Sequence, residues 1–148
     1  IRSMNNIGSA FRTGDALAIQ EIALCGFTAQ PPHREIHKTA LGAQDIVSWK
    51  HFESTLDAIQ HYRATGFNIL GLEQTSESTL LQNKTYKADE KYAFIFGNEV
   101  AGVDDEILDQ IDEFLEIPQF GTKHSFNVSV TMGICLWDYW SKVNSIQK

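Results

Sequence analysis

Short apolar runs recur along the chain, each bounded by glycine, proline or polar residues, and they alternate with stretches of helical spacing. Glu21-Ile22-Ala23-Leu24-Cys25, ending at Gly26, predicts a buried strand. Phe67-Asn68-Ile69-Leu70-Gly71-Leu72, the run ending at Phe96 before Gly97, and Phe114 to Ile117 predict three more, with Ile46 to Trp49 a further short one. A helix capped by Asn5 or Asn6 is expected to run to about Ala18. Ser54 caps another to about Thr65, with Leu56, Ile59 and Tyr62 or Arg63 on its face and Gly66 at its end. Asp104 or Asp105 opens a short helix. Ser125 caps a final one, which has Val130, Ile134, Trp137 and Tyr139 or Trp140 available for one face. Phe27 to Thr39, with Pro31-Pro32 at its centre, predicts a loop, because adjacent prolines fit neither a helix interior nor a central strand. Thr75 to Glu90 is polar and predicts an exposed connection.

This alternation of strand and helix predicts an α/β fold, a mainly parallel sheet flanked by helices. Such sheets place ligand loops at the carboxyl ends of their strands, where the loops after Leu72, Phe96 and Ile117 fall, the latter two bearing glycine. The 148 residues contain no repeat, low-complexity tract or linker, so one domain is expected. Ile1 lies inside the element leading to Asn6, and a few residues are expected to be missing upstream. No apolar run approaches the ~18 residues of a membrane span, and no secretory leader opens the sequence. Cys25 and Cys135 lie far apart in apolar surroundings and read as buried thiols of a cytoplasmic protein. Net charge is −7, from 12 basic and 19 acidic residues, which argues against a general polyanion binder but leaves room for a local basic site.

Three polar clusters carry the candidate chemistry. Asn6-Ile7-Gly8-Ser9-Ala10-Phe11-Arg12 lies on the first helix, Phe96-Gly97-Asn98-Glu99-Val100-Ala101-Gly102 follows a strand, and Ile117-Pro118-Gln119-Phe120-Gly121 leads into Ser125-Phe126-Asn127-Val128-Ser129-Val130. Helix capping and an exposed first turn would account for Asn127 and Ser129 if that last stretch stood alone. Together, in order and spacing, the clusters resemble the three motifs of the SpoU (TrmH-like) branch of the SPOUT RNA methyltransferases. The chain departs from the family pattern at Phe126, where leucine is usual, and at Thr131, where alanine is usual.

The resemblance implies a C-terminal deep trefoil knot, although threaded chains are rare among proteins at large. It also implies S-adenosylmethionine held by Leu72, Gly97, Asn98, Ile117 and Phe126, and a homodimer paired through the knot region. The implied reaction is 2′-O-ribose methylation of tRNA or rRNA, with Arg12, Asn6, Glu99, Ser125 and Asn127 as catalytic residues. Arg12, Arg34 and Lys38 would meet RNA. A guanidinium is a poor base, being essentially always charged. Arg12 therefore clamps phosphate, stabilises the developing alkoxide, or loses a proton only in an unusual field; the bland alternative is a surface arginine. His33-Arg34-Glu35-Ile36-His37 places Glu35 one position too late for a zinc-protease helix, and no metal is expected. Two rivals stand beside the methyltransferase reading. One is a non-catalytic RNA-binding relative, against which the intact polar residues speak; the other is a methyltransferase for a non-RNA substrate, which the acidic balance keeps open. A dinucleotide oxidoreductase would need a glycine fingerprint that is absent.

Overall fold

A computed structural model describes residues 1–123 and 125–146. Four helices and six strands make up its regular structure: α1 (Met4–Ala16), β1 (Ile22–Cys25), α2 (Arg34–Ala40), β2 (Trp49–Phe52), α3 (Thr55–Ala64), β3 (Phe67–Leu72), β4 (Thr79–Leu80), β5 (Lys91–Phe96), β6 (Glu113–Glu116) and α4 (Val128–Ile146). Every ladder between them is parallel. β1 pairs with β2, and the other strands form a sheet of order β4-β6-β3-β5.

Both faces of the larger sheet are covered, so its strands are apolar at successive positions rather than at alternate ones. On β3 and β5, Leu70, Leu72, Tyr92, Phe94 and Phe96 pack in one cluster with Cys135, Tyr139 and Val143 of α4. The intervening residues Phe67, Ile69, Ala93 and Ile95 pack instead with Ile59 of α3 and with Ile107 and Ile111, in and just after a 3₁₀ segment at Asp105–Gln110. A third cluster, Ile7, Phe11, Leu24, Ile36, Ala40, Ala43 and Val47, ties α1 and α2 to β1. Between β1 and β5, which share no ladder, runs a cleft of about 950 Å³.

Several expectations from sequence are corrected. The cap of α1 is Ser3, whose Oγ accepts from Asn6 N at 3.3 Å; Asn6 lies within the helix, 8% exposed, and its amide is used elsewhere. The expected loop from Phe27 to Thr39 contains α2. His33 Nδ1 caps that helix by accepting from Glu35 N at 3.2 Å, and the two prolines stop short of it. Only Ile36 and Ala40 face inward on α2, too few to register as a period. β2 starts at Trp49 rather than Ile46, because a 3₁₀ turn at Ala43–Asp45 precedes it and leaves Ile46 exposed. The connection from Thr75 to Glu90 supplies β4 and buries Leu81 and Tyr86. Tyr86 sits edge-on to Tyr92 and Tyr139, and Lys84 pairs with Glu113 beside it. Asn127, not Ser125, occupies the capping place of α4: its Oδ1 accepts from Ser129 N at 2.9 Å and its carbonyl from Thr131 N at 3.0 Å. The other expected bounds agree to within a few residues, and Ser54 caps α3 as expected, accepting from Asp57 N at 3.1 Å.

α1 and α2 approach closely at Gly8. A Cβ there would meet the Ile36 carbonyl and Thr39 Oγ1 and come within 3.0 Å of Ala40 N, and Thr39 Oγ1 donates to the Asn5 carbonyl at 2.8 Å. Gly8→Ala gains about 1 kcal/mol of helix propensity. It also forces backbone apart, and overpacking costs roughly 1–3 kcal/mol. Net destabilisation in chemical denaturation is the expected result, whereas Gly121→Ala, where an added Cβ meets nothing within 4 Å among the described residues, should be near neutral.

Candidate active site

The candidate site is built where strands end. Leu72, the last residue of β3, is register partner of Phe96 on one side and of Leu115 on the other. The loops that follow Leu72, Phe96 and Ile117 therefore leave the sheet side by side at its carboxyl edge, as expected for a parallel sheet.

The loop after β5 is folded on itself. Asn98 N donates to the Gly102 carbonyl at 2.8 Å and Gly102 N to the Asn98 carbonyl at 2.9 Å, while Asn98 Oδ1 accepts from Val100 N and Ala101 N. Gly102 has φ +73°, and Gly97 lies so close to the Gly102–Val103 backbone that a Cβ would sit 2.5 Å from Val103 N. Both glycines are thus required by the loop itself. Glu73, which follows β3, anchors the far side: its Oε2 accepts from Val103 N at 3.0 Å. Nothing in the sequence pattern marked Glu73; its part is visible only once β3 and the loop are adjacent.

Glu99 makes the long-range contact that draws two of the clusters together. Its carboxylate accepts from Arg2 N at 2.8 Å, Ser3 N at 3.0 Å and Asn6 Nδ2 at 3.1 Å. Partial burial works against the charge, but the hydrogen bonds from Arg2, Ser3, its own backbone and Asn6 outweigh it and bring its pKa down to about 2.

Arg12 lies farther along α1 and is exposed; among the described residues it has no hydrogen-bond or ion-pair partner. Its neighbour Thr13 faces α4, where a Cβ on Gly133 would lie 4.0 Å from Thr13 Cγ2. Arg34 and Lys38 are exposed on α2, and Lys38 pairs with Glu35 at 2.8 Å. Ser125, Phe126 and Asn127 are exposed ahead of α4, and the Asn127 side chain is committed to its cap. No hydrogen bond or ion pair joins these three to Glu99 or Arg12 among the described residues; the hydrogen bonds unite Asn6 with Glu99.

The residues fit an adenosyl donor in character. Leu72 and Ile117 are half-buried apolar walls and Phe126 is 43% exposed. Among the described residues, those between 118 and 126 make no backbone hydrogen bond. The large cleft is a different place: it reaches Gly97 and Asn98 but none of Leu72, Ile117 or Phe126. Among the described residues no group of histidine, cysteine or carboxylate side chains could hold a metal, and no helix is long and apolar enough to cross a membrane.

A depressed carboxylate pKa adds stability that is complete above the unfolded value near ~4.3 and is lost as pH falls toward about 2. Denaturation profiles of the unmodified chain should steepen in acid through that window, and Glu99→Gln should flatten the difference. Identical pH dependence in the two proteins would mean that the clamp does not hold in solution.

Comparison with known proteins identifies the family. The SpoU rRNA methylase family model matches residues 1–137. A tRNA (guanosine(18)-2′-O)-methyltransferase of Borreliella burgdorferi is 25% identical over 89% of this chain and 59% of its own length. The 23S rRNA (guanosine-2′-O-)-methyltransferase RlmB of Neisseria meningitidis is 26% identical over 92% of this chain and 53% of its own. The chain thus spans little more than half the length of these curated relatives. Among solved structures, the TrmH/SpoU tRNA modifying enzyme of A. aeolicus shares the fold with TM-score 0.87 at 21% identity, over 99% of this chain and 73% of that one. An AdoMet-bound rRNA methyltransferase from Sinorhizobium meliloti superposes with TM-score 0.84 at 27% identity, over 91% and 51%. The ordered motifs, the parallel sheet with its loops at one edge and the match over most of the chain lead to one assignment: the chain belongs to the SpoU rRNA methylase family.

Proposed function

We propose that this chain is a single SpoU-type domain that transfers a methyl group from S-adenosylmethionine to a ribose 2′-hydroxyl of tRNA or rRNA, without a metal. The observation that carries this reading is the Glu99 carboxylate gripping the start of α1, which sets the arginine-bearing helix against a strand-end loop. The relatives' activities on tRNA and 23S rRNA, and the AdoMet-bound neighbour, support the substrate and donor. In this reading Leu72, Gly97, Asn98, Ile117 and Phe126 hold the donor, chiefly through backbone groups. When bound, the donor supplies an electrophilic methyl group. Asn6 is fixed by Glu99 and positions the ribose or Arg12; Ser125 and Asn127 complete the polar floor. Arg12 meets the phosphate beside the reacting ribose and stabilises charge developing on its oxygen, while Arg34 and Lys38 receive backbone phosphates on α2.

The reading includes the trefoil knot. Its support is strand order: β6 lies between β3 and β4, so the connection from β3 to β4 must span a strand formed over thirty residues later. It includes a homodimer as well. α4 buries Met132, Cys135 and Val143 but leaves Val130, Trp137 and Trp140 at 49%, 56% and 41% exposure, the two indoles stacked at 5.4 Å. That apolar stripe is the kind of surface a two-fold partner covers. The compartment is cytoplasmic in this reading, with both thiols kept protonated by burial, Cys135 at a pKa of about 12.

The deciding measurement is methyl transfer from labelled donor to total RNA, with the modified nucleoside then mapped. Under single turnover with saturating donor, Arg12→Ala should slow transfer roughly a hundred- to a thousand-fold and leave donor affinity by calorimetry unchanged, with or without chelator. Arg12→Lys should rescue little, because it lacks the planar fork of donors. Near-normal transfer by Arg12→Ala would return that residue to the helix surface. Sedimentation should show a dimer at micromolar concentration and a monomer for Trp137→Glu; a monomeric unmodified protein would count against the pairing.

A further inference from the structure

α2 turns Ile36 and Ala40 inward and presents His33, Arg34, His37 and Lys38 to solvent. Pro32, His33, Arg34 and His37 line a shallow recess of about 400 Å³ on this outer side, apart from the large cleft. Both imidazoles there are held by one ring nitrogen. His33 Nδ1 accepts from Glu35 N at 3.2 Å, and a backbone N–H can only donate. His37 Nδ1 lies 3.1 Å from Nε2 of Gln44, a residue only 5% exposed. The Gln44 amide has one orientation. Its Oε1 accepts from Gly42 N at 3.1 Å and its Nε2 faces the Asp45 carboxylate at 3.5 Å, so Nε2 is the donor to His37. With Nδ1 accepting in both rings, each neutral imidazole carries its proton on Nε2. Those two N–H groups lie on the far side of each ring and have no protein partner among the described residues.

The tautomer decides what the recess can hold. A metal-bound histidine ligates through one nitrogen and donates a hydrogen bond from the other. Here the inner nitrogen of each ring meets a donor, so the outer one has no lone pair to give a metal. The recess offers two neutral N–H donors and the fork of Arg34, with no carboxylate in its lining. Glu35, the acid nearest in sequence, is paired to Lys38 at 2.8 Å. Donors without acceptors suit a phosphodiester, whose oxygens only accept. We propose that His33 and His37 contact RNA: their Nε2–H groups, together with Arg34, grip one phosphate of the substrate strand. The inference rests on the RNA substrate proposed above and adds to it a pair of uncharged contacts. Such contacts release no counterions, so they fix the strand's position where Arg34 and Lys38 supply the long-range attraction.

The test is the affinity of this chain for a labelled RNA stem-loop, measured by fluorescence anisotropy over a series of salt concentrations. A phosphate contact carries no sequence information, so any stem-loop reports it. Arg34→Ala should weaken binding and lower the slope of log affinity against log salt by roughly 1. His37→Asn should weaken binding roughly tenfold with the slope unchanged, because its oxygen still accepts from Gln44 but nothing reaches the phosphate. His33→Asn should behave alike, asparagine being an able helix cap. His37→Gln should bind nearly as the unmodified chain does, its amide N–H standing where the ring Nε2–H stood. A His37 with a structural part alone gives the reverse order, asparagine tolerated and glutamine not. That reverse order, equal binding by all the histidine variants, or a His37→Asn slope that falls as far as that of Arg34→Ala overturns the proposal. Normal RNA binding without methyl transfer would overturn the reaction and leave this contact standing, whereas an unmodified chain that binds no RNA overturns both.

Discussion

One carboxylate holds the arrangement together. Glu99 sits on a loop at the end of the larger sheet, and all its partners outside that loop belong to the first six residues, on the other side of the cleft. An anion at the start of a helix is favourable through the unpaired N–H groups and the helix dipole. Here it also meets a buried amide that would otherwise lack a partner, Asn6 Nδ2. The contact therefore serves helix, loop and site at once, and Asn6 is oriented by it rather than by helix capping.

The same double use recurs around the site. Asn98 closes its own loop, Gly97 and Gly102 let that loop fold tightly, Glu73 anchors it, and Asn127 starts α4. A ligand at this edge meets mainly backbone groups whose positions are set by side chains already engaged. Such a site is preorganised: the polar side chains are committed before anything binds. Arg12 is the exception, solvent-facing and uncommitted among the described residues.

Sequence showed the larger sheet well because β3, β5 and β6 are covered on both faces and bounded by glycine or proline, Gly66 before β3, Gly97 after β5 and Pro118 after β6. Their runs need no periodicity to stand out. It failed where burial rests on one or two residues. Ile36 and Ala40 on α2, and Leu81 and Tyr86 in the polar connection, are held by tertiary contacts that leave no local pattern. For the candidate site, motif order marked three clusters, and hydrogen bonds in the structure join two of them. The clamp between Glu99 and the chain's start spans more than ninety residues and was visible only as two separate polar groups. The expected caps went astray for a related reason: Ser3 and Asn127 compete with Asn5, Asn6 and Ser125, equally able cappers a few positions away, and packing chose among them.

The close approach at Gly8 has a mechanical consequence. At that point backbone lies against backbone and Thr39 donates a hydrogen bond to the Asn5 carbonyl, beside the Ile7, Phe11, Ile36 and Ala40 side chains that pack between α1 and α2. Sliding one helix along the other must first break that contact and the Thr39 hydrogen bond, and a shift of α1 is felt at the backbone amides that Glu99 holds.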